Sequence, residues 1–285
     1  MRFRGPGRSR VSAANASSSA ETRPAAAPHE ITENGATLNN KNSAGLVPIR
    51  PHHVFGAFQT DDMRERACTM LIPHPSAFSG GALTIEVLLL ITLIRISGAQ
   101  RLFEFGTYMG GTTVLLAENS KDTAEIFTLD LPSDASGVSQ VGASSAYGTT
   151  SHRVEDNFLS AKATAHGPVI AEGFYGQSPS KKITFLRADS TTADLSAYDR
   201  SMDMVWIDGG HDYDTVRSDT ANAFRMVNPK NDNAVIVWHD FDNKDHEGVG
   251  RFLRELAENR LIYAIGNTFL AVCFPNADGK RFGLS

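Results

Sequence analysis

From Leu83 onward the apolar positions follow two rhythms that take turns along the chain. Residues 83–96, "LTIEVLLLITLIRI", are apolar on nearly every side, which predicts a buried helix. Short apolar runs follow: "RLFEF", "EIFTLDL", "KITFLRAD", "MDMVWIDGG" and "NAVIVWHDF". Each reads as a strand. Between them "TTVLLAENS" continues as a helix. Tyr213, Val216, Ala223, Phe224 and Val227 recur at helical spacing, and so do Val249, Phe252, Leu253 and Leu256. The segment "LIYAIGNTFLAVCF" reads as two strands around a turn at Gly266-Asn267. Strands alternating with helices predict parallel βαβ units. Near-continuous apolar strands predict a sheet covered on both faces. The last two strands are joined too tightly for a crossover helix and so form an antiparallel pair. The expected fold is α/β: a Rossmann-like open sheet, mostly parallel with an antiparallel C-terminal edge strand, and helices on both faces.

The rest of the chain is less regular. Residues 44–81 mix turn formers with scattered aromatics, and Arg64 to Leu71 is expected to form a short helix. Residues 133–180 are rich in Gly, Ser, Ala and Thr, with a short helix expected in "RVEDNFLSAKATA". A connection of that length is usually functional or disordered, and it reads as an insertion over the ligand crevice. The first 28 residues are rich in Ala, Ser, Arg and Pro and hold one acid, Glu21. They read as part of a disordered tail over residues 1–43, or as an organelle transit peptide, which shares that composition. One domain is then expected over residues 44–285.

Composition narrows the classes. The chain has 285 residues, 41% hydrophobic residues and a formal net charge of -5. No basic stripe marks a nucleic-acid surface. The longest apolar run is broken by Glu86 and Arg95 and falls short of the roughly 20 residues that span a bilayer, so no membrane partner is expected. Cys68 and Cys273 form no CxxC pair, which argues against a disulfide framework or zinc knuckle and fits a reducing, cytoplasmic setting.

In open α/β sheets ligands sit at the carboxyl ends of the strands. The first of these strands ends in Glu104-Phe105-Gly106-Thr107, with Gly110-Gly111 after it. That spacing is neither GxGxxG nor GxxxxGK[ST], so neither a dinucleotide nor an NTP phosphate cradle is supported. The later strands end in Asp130, Ala188-Asp189, Asp208 and His239-Asp240. Carboxylates at every tip repel a pyrophosphate. They favour a ligand with positive charge and sugar hydroxyls, a description S-adenosylmethionine meets.

The segment "LFEFGTYMGGTTVLLAE" resembles motif I of class I S-adenosylmethionine-dependent methyltransferases, and "IFTLDLP" resembles their motif II. "FLRADS", "DMVWIDGGHDYDTVRSDTANAFRMVNP" and "AVIVWHDF" resemble the three segments that follow, in order. The branch most similar is bacterial methyltransferase family 24; macrocin-type and catechol-type O-methyltransferases stand further off. The resemblance implies that Glu104, Gly106, Thr107, Gly110 and Thr112 shape the methionine end of the cofactor site. It implies that Asp130 holds the ribose, that Ala188 and Asp189 flank the adenine, and that Asp208 lies near the sulfonium and the acceptor. The implied activity is methylation of a small-molecule hydroxyl, on a sugar or secondary metabolite. Tyr108-Met109 and the insertion depart from the family pattern, and both bear on the acceptor pocket.

By the same resemblance, Asp208, His239 and Asp240 occupy the positions that hold magnesium in catechol-type relatives. Two carboxylates suit magnesium; a histidine suits manganese, iron or zinc better. His211 reads either as the general base or as the cap of the helix starting near Asp212. His239 reads as a ligand or base, or as a hydrogen-bond link between strand ends. Asp212, Asp214 and Asp219 read as the solvated face of a helix. Two other readings stay open: a metal-dependent hydrolase or hydroxylase-like enzyme, and a non-catalytic cofactor-binding relative. Assembly into a homo-oligomer is also left open.

Overall fold

The computed structural model describes residues 44–57, 82–132, 169–176, 180–277 and Phe282, all within a compact unit spanning Asn39–Ser285. The tail over 1–43, the helix at Arg64–Leu71, the helix in "RVEDNFLSAKATA" and most of the insertion lie outside these residues.

The chain order is β1 (Gly45–Ile49), α1 (Pro51–Ala57), α2 (Thr84–Ser97), β2 (Arg101–Phe105), α3 (Gly111–Asn119) and β3 (Glu125–Asp130). Then come α4 (Val169–Tyr175), β4 (Ile183–Arg187), a 3-10 turn (Ser196–Tyr198), β5 (Met204–Ile207) and α5 (Tyr213–Met226). The chain ends with β6 (Val235–Trp238), α6 (Glu247–Leu256), β7 (Leu261–Ile265) and β8 (Ala271–Cys273). The eight strands lie in the order β1-β7-β8-β6-β5-β2-β3-β4. β8 runs antiparallel to both its neighbours, and every other pair is parallel.

The expected Rossmann-like sheet is present, with its antiparallel C-terminal pair on the side of β6. Beyond that pair the structure adds β1, which the sequence pattern did not announce. β1 contains Pro48, a residue that cannot donate to a ladder and is tolerated only on an edge strand. The structure also places α4 inside the expected insertion.

Strand alternation sorts the core into two layers. Leu102, Trp206, Val235 and Val237 pack with α2 and α3. Phe103, Phe105, Val205, Ile236 and Trp238 pack with α5 and α6. The near-continuous apolar strands thus bury both faces. α2 stops at Gly98, whose φ of 59° permits the left-handed turn that ends a helix.

One consequence of the strand order governs the site. The chain leaves β2 to one side for β3 and β4, then returns to the other side for β5 and β6. The gap between β2 and β5 is therefore the switch point, where connections diverge and leave a crevice at the carboxyl edge.

Candidate active site

The turn after β2 crosses that switch point. Gly106 sits at φ 91°, and a Cβ there would lie 1.9 Å from the Asp208 carbonyl oxygen. No other residue fits between the ends of β2 and β5. Tyr108 also takes a left-handed backbone, φ 47°, which is uncommon for an aromatic residue. Its N–H donates to Asp130 Oδ2 at 2.7 Å, tying the turn to the end of β3. Gly110, at φ 84°, starts α3.

Under the turn lies Glu104. It alternates with Phe103 and Phe105, so its side chain points to the α2–α3 face, fully buried. Thr113 and Thr128 donate to Glu104 Oε2 at 2.5 and 2.6 Å. Thr128 spends its proton there, so Thr107 donates to Thr128 at 2.6 Å. Burial pushes the Glu104 carboxyl up to about 8, against these hydrogen bonds, with the charges of Asp208 and Asp130 adding to the rise. Thr113 and Thr128 were missed by sequence reasoning; Thr112, which the motif marks, sits half-buried beside Thr113 on the first turn of α3.

Asp130 accepts from Leu131 N through Oδ1 as well as from Tyr108 N through Oδ2. Each oxygen keeps a lone pair to spare. Burial raises its pKa, offset in part by those two N–H groups and by Arg187. Ala188 N donates to Asp130 O at 3.0 Å. Asp189 Oδ1 is engaged by Thr191 N and Oγ1, so this acid first of all shapes its own turn.

Across the switch point stands a group of acids and histidines. Asp208 Oδ1 is 3.2 Å from His239 Nδ1 and 4.0 Å from His211 Nε2. Asp240 Oδ2 is 3.0 Å from His239 Nδ1 and 3.1 Å from His211 Nε2. On its far side His239 Nε2 meets Glu86 Oε2 at 3.2 Å. Glu86 comes from α2 and is fully buried; Phe269 N and Leu83 N donate to it at 2.6 Å each. Asn243 donates to Asp240 Oδ1 at 2.7 Å. Asp240 itself holds a left-handed backbone, φ 59°, the sort of local strain that gathers at functional sites.

Burial alone would lift Asp208 and Asp240. The charge of His239 and the hydrogen bonds from both histidines win, and hold both carboxyls below the usual carboxylate range. Burial disfavours a charged His239, but Asp208, Asp240 and Glu86 together raise its pKa well above that of a free histidine. His239 thus lies between carboxylates on both sides of its ring. The predicted hydrogen bond between strand ends at His239 is therefore present.

Two expectations need correction. Asp212, not His211, caps α5: its Oδ1 accepts from Asp214 N and Thr215 N. His211 is thereby left to face Asp240, and its ring stacks on His246 at 3.7 Å. Gly248 makes that stack possible, because a Cβ there would strike the His211 carbonyl at 2.4 Å. Second, Asp219 is not on a solvated face. It lies one turn from Val216 and Ala223 on the buried stripe of α5 and is 1% exposed. Asp214 does face solvent.

Glu86, His246 and Asp219 escaped sequence reasoning. Glu86 stands out only as a lone acid in an apolar helix. Such an acid needs a buried partner, and that was the available signal.

Comparison with known proteins bears on this site. A family model described as a methyltransferase domain matches residues 103–241. That stretch is similar to a methyltransferase domain over just under half of the chain. The match takes in all five acid-bearing strand ends, from Glu104 to Asp240, and leaves out Glu86. The chain also has likenesses among solved structures. PaMTH1 from Podospora anserina, a methyltransferase solved bound to SAH, is 14% identical, covering 81% of this chain and 89% of its own, with TM-score 0.44. The O-methyltransferase TomG from Streptomyces achromogenes, solved with SAM, is 16% identical, covering 72% and 92%, with TM-score 0.41. An O-methyltransferase from Bacillus cereus, solved with SAH, is 16% identical, covering 72% and 93%, with TM-score 0.42. No curated protein matches the chain.

Proposed function

We propose that this methyltransferase binds S-adenosylmethionine at the carboxyl edge of β2, β3 and β4 and methylates a hydroxyl group of a small molecule. One observation carries the reading. Five neighbouring strand ends present acids around a turn whose glycine packs directly on the backbone that follows β5. S-adenosylmethionine supplies an electrophilic methyl on a cationic sulfur. The protein supplies position and charge. Asp130 offers its spare lone pairs to the ribose diol. The methionine end would approach the β2–α3 turn, over the Glu104–Thr113–Thr128 network. Gly110 and Thr112 would border that end, and Ala188 and Asp189 the adenine.

Holding both reactants in line supplies much of the rate for such a displacement. The acceptor hydroxyl must also lose its proton, and the Asp208–His211–His239–Asp240 group lowers that cost. A cavity of about 450 Å³ is lined by Leu83, Phe241, Ile265, Phe269 and Thr268 among others. Leu83 and Phe269 donate their backbone N–H groups to Glu86, and Phe241 follows Asp240 in sequence. The link from the cavity to His239 runs through Glu86, and its largely apolar lining suits an acceptor with an apolar body.

The test is titration calorimetry of the full chain with S-adenosylmethionine and S-adenosylhomocysteine. Saturable heat with both ligands is expected. Absence of heat with either, in folded protein, overturns the reading.

A further inference from the structure

We propose that Glu86 is a positioning residue that locks the wall of the cavity to His239, so that one buried side chain both shapes the acceptor pocket and orients the histidine. That the pocket takes an acceptor rests on the methyl-transfer reading; the hydrogen bonds themselves do not.

Glu86 stands in the first turn of α2, three residues after Leu83. An acid in that place ordinarily reaches back to the N–H that opens the helix, and Glu86 Oε2 does accept from Leu83 N at 2.6 Å. Capping a helix asks for nothing more, and a cap can stay in water. Glu86 is instead fully buried. Its other two partners are distant in the chain. Oε1 accepts from Phe269 N at 2.6 Å, 183 residues away, and Oε2 lies 3.2 Å from His239 Nε2, 153 residues away. An acid is costly to bury unless it is paired, and the need to cap α2 does not account for that cost.

These bonds close a ring. Phe269 turns its N–H to Glu86 and its carbonyl to Phe241, whose N–H donates at 2.9 Å. Phe241 follows His239 and Asp240 along the chain, and His239 returns to Glu86. The ring therefore joins α2, the β7–β8 turn and the end of β6. Leu83, Phe241 and Phe269, three of its members, line the cavity. The far end of the turn is tied to β1, where Gly266 N donates to Ile49 O at 2.8 Å. Within the turn, Thr268 Oγ1 donates to Ile265 O and accepts from Leu270 N. Glu86 is the side chain that fixes its near end.

Glu86, Leu83 and Phe269 all lie outside residues 103–241, so the likeness to a methyltransferase domain assigns none of them a role. A molecule seated against Leu83 and Phe269 bears on both N–H groups that Glu86 accepts. A shift of the carboxyl passes to His239, because a hydrogen bond weakens steeply as it bends. Pocket wall and histidine thus move as one unit, and an acceptor that fits the wall meets a ring already oriented.

The experiment uses full-length protein labelled with ¹⁵N and held at a single pH, with 2-naphthol as the probe, a fused aromatic body that carries a hydroxyl. Binding to wild-type protein is expected to move the Phe269 amide signal and the His239 ring signals together. Glu86→Gln keeps the shape of the side chain but leaves a single acceptor oxygen for three donors. It should weaken 2-naphthol binding roughly tenfold, as the loss of one such hydrogen bond would, and bound 2-naphthol should then leave His239 unmoved. S-adenosylhomocysteine, measured by calorimetry, should bind both proteins equally well, which a general loosening of the fold would not allow. Failure of wild-type protein to bind 2-naphthol, a Phe269 response without a His239 response, unchanged affinity in Glu86→Gln, or a parallel loss of S-adenosylhomocysteine binding would each overturn the proposal. The wild-type comparison decides by itself if the variant does not fold. Absence of S-adenosylhomocysteine binding with the 2-naphthol responses intact would remove the methyl-transfer reading and leave the ring standing.

Discussion

Replacing Asp219 by asparagine should make the protein more stable at neutral pH and change how its stability depends on pH. Asp219 is 1% exposed, and neither carboxyl oxygen has a hydrogen-bond partner among the described residues. Burial pushes its carboxyl up to about 7; Asp212 and Asp189 add to the rise, and Ser190 lies near enough to temper it. The ordinary value is 3.8, so the shift is about three units, worth about 4 kcal/mol at 1.36 kcal/mol per unit. The folded state binds this proton more tightly than the unfolded state does. The contribution is therefore fully present below about pH 4, is lost as pH rises towards 7, and changes no further above that. Asparagine carries no such proton. Its amide must find partners in the same place, at about 1–3 kcal/mol if it fails, so the net gain at pH 8 is expected to be about 1–3 kcal/mol. Urea unfolding of both proteins from pH 4.5 to 8.5 measures it, since all other titrating groups cancel in the difference. The gap should widen up to about pH 7 and then level. Parallel pH profiles would refute the reasoning.

Asp130→Ala should weaken S-adenosylhomocysteine binding by about 2–3 kcal/mol, the worth of hydrogen bonds to a charged acceptor, read by calorimetry at unchanged fold. Gly106→Ala drives a Cβ into the Asp208 carbonyl at 1.9 Å; overpacking of this kind costs about 1–3 kcal/mol or more, and both stability and cofactor binding should fall. Asp212→Ala removes the α5 cap and should lower urea stability by about 1 kcal/mol.

The sheet was legible because its signals are local. The runs ending in Glu104, Asp130, Asp208 and Asp240 are short and apolar, all but the second are followed by helical spacing, and the structure places each as a strand. β1 was not legible. Its burial alternates weakly and it contains Pro48, so only its pairing with β7 makes it a strand. In the candidate site the motif identified Gly106 and Asp130, but not Thr113 and Thr128, which complete the Glu104 network. Asp219 was misread because local polarity resembles a solvated face; which stripe of α5 is buried depends on what packs there.

By itself, then, the sequence determined the central strands and helices of the sheet from β2 onward, and that acids stand at the strand tips. Both follow from contacts between near neighbours along the chain. Only the tertiary structure decided what those acids meet. Glu86 and His239 are 153 residues apart, His246 reaches His211 because Gly248 leaves room, and Asp208 lies against Gly106 because β5 and β2 are adjacent. No periodicity encodes such encounters; they depend on sheet order and on how the helices pack against it.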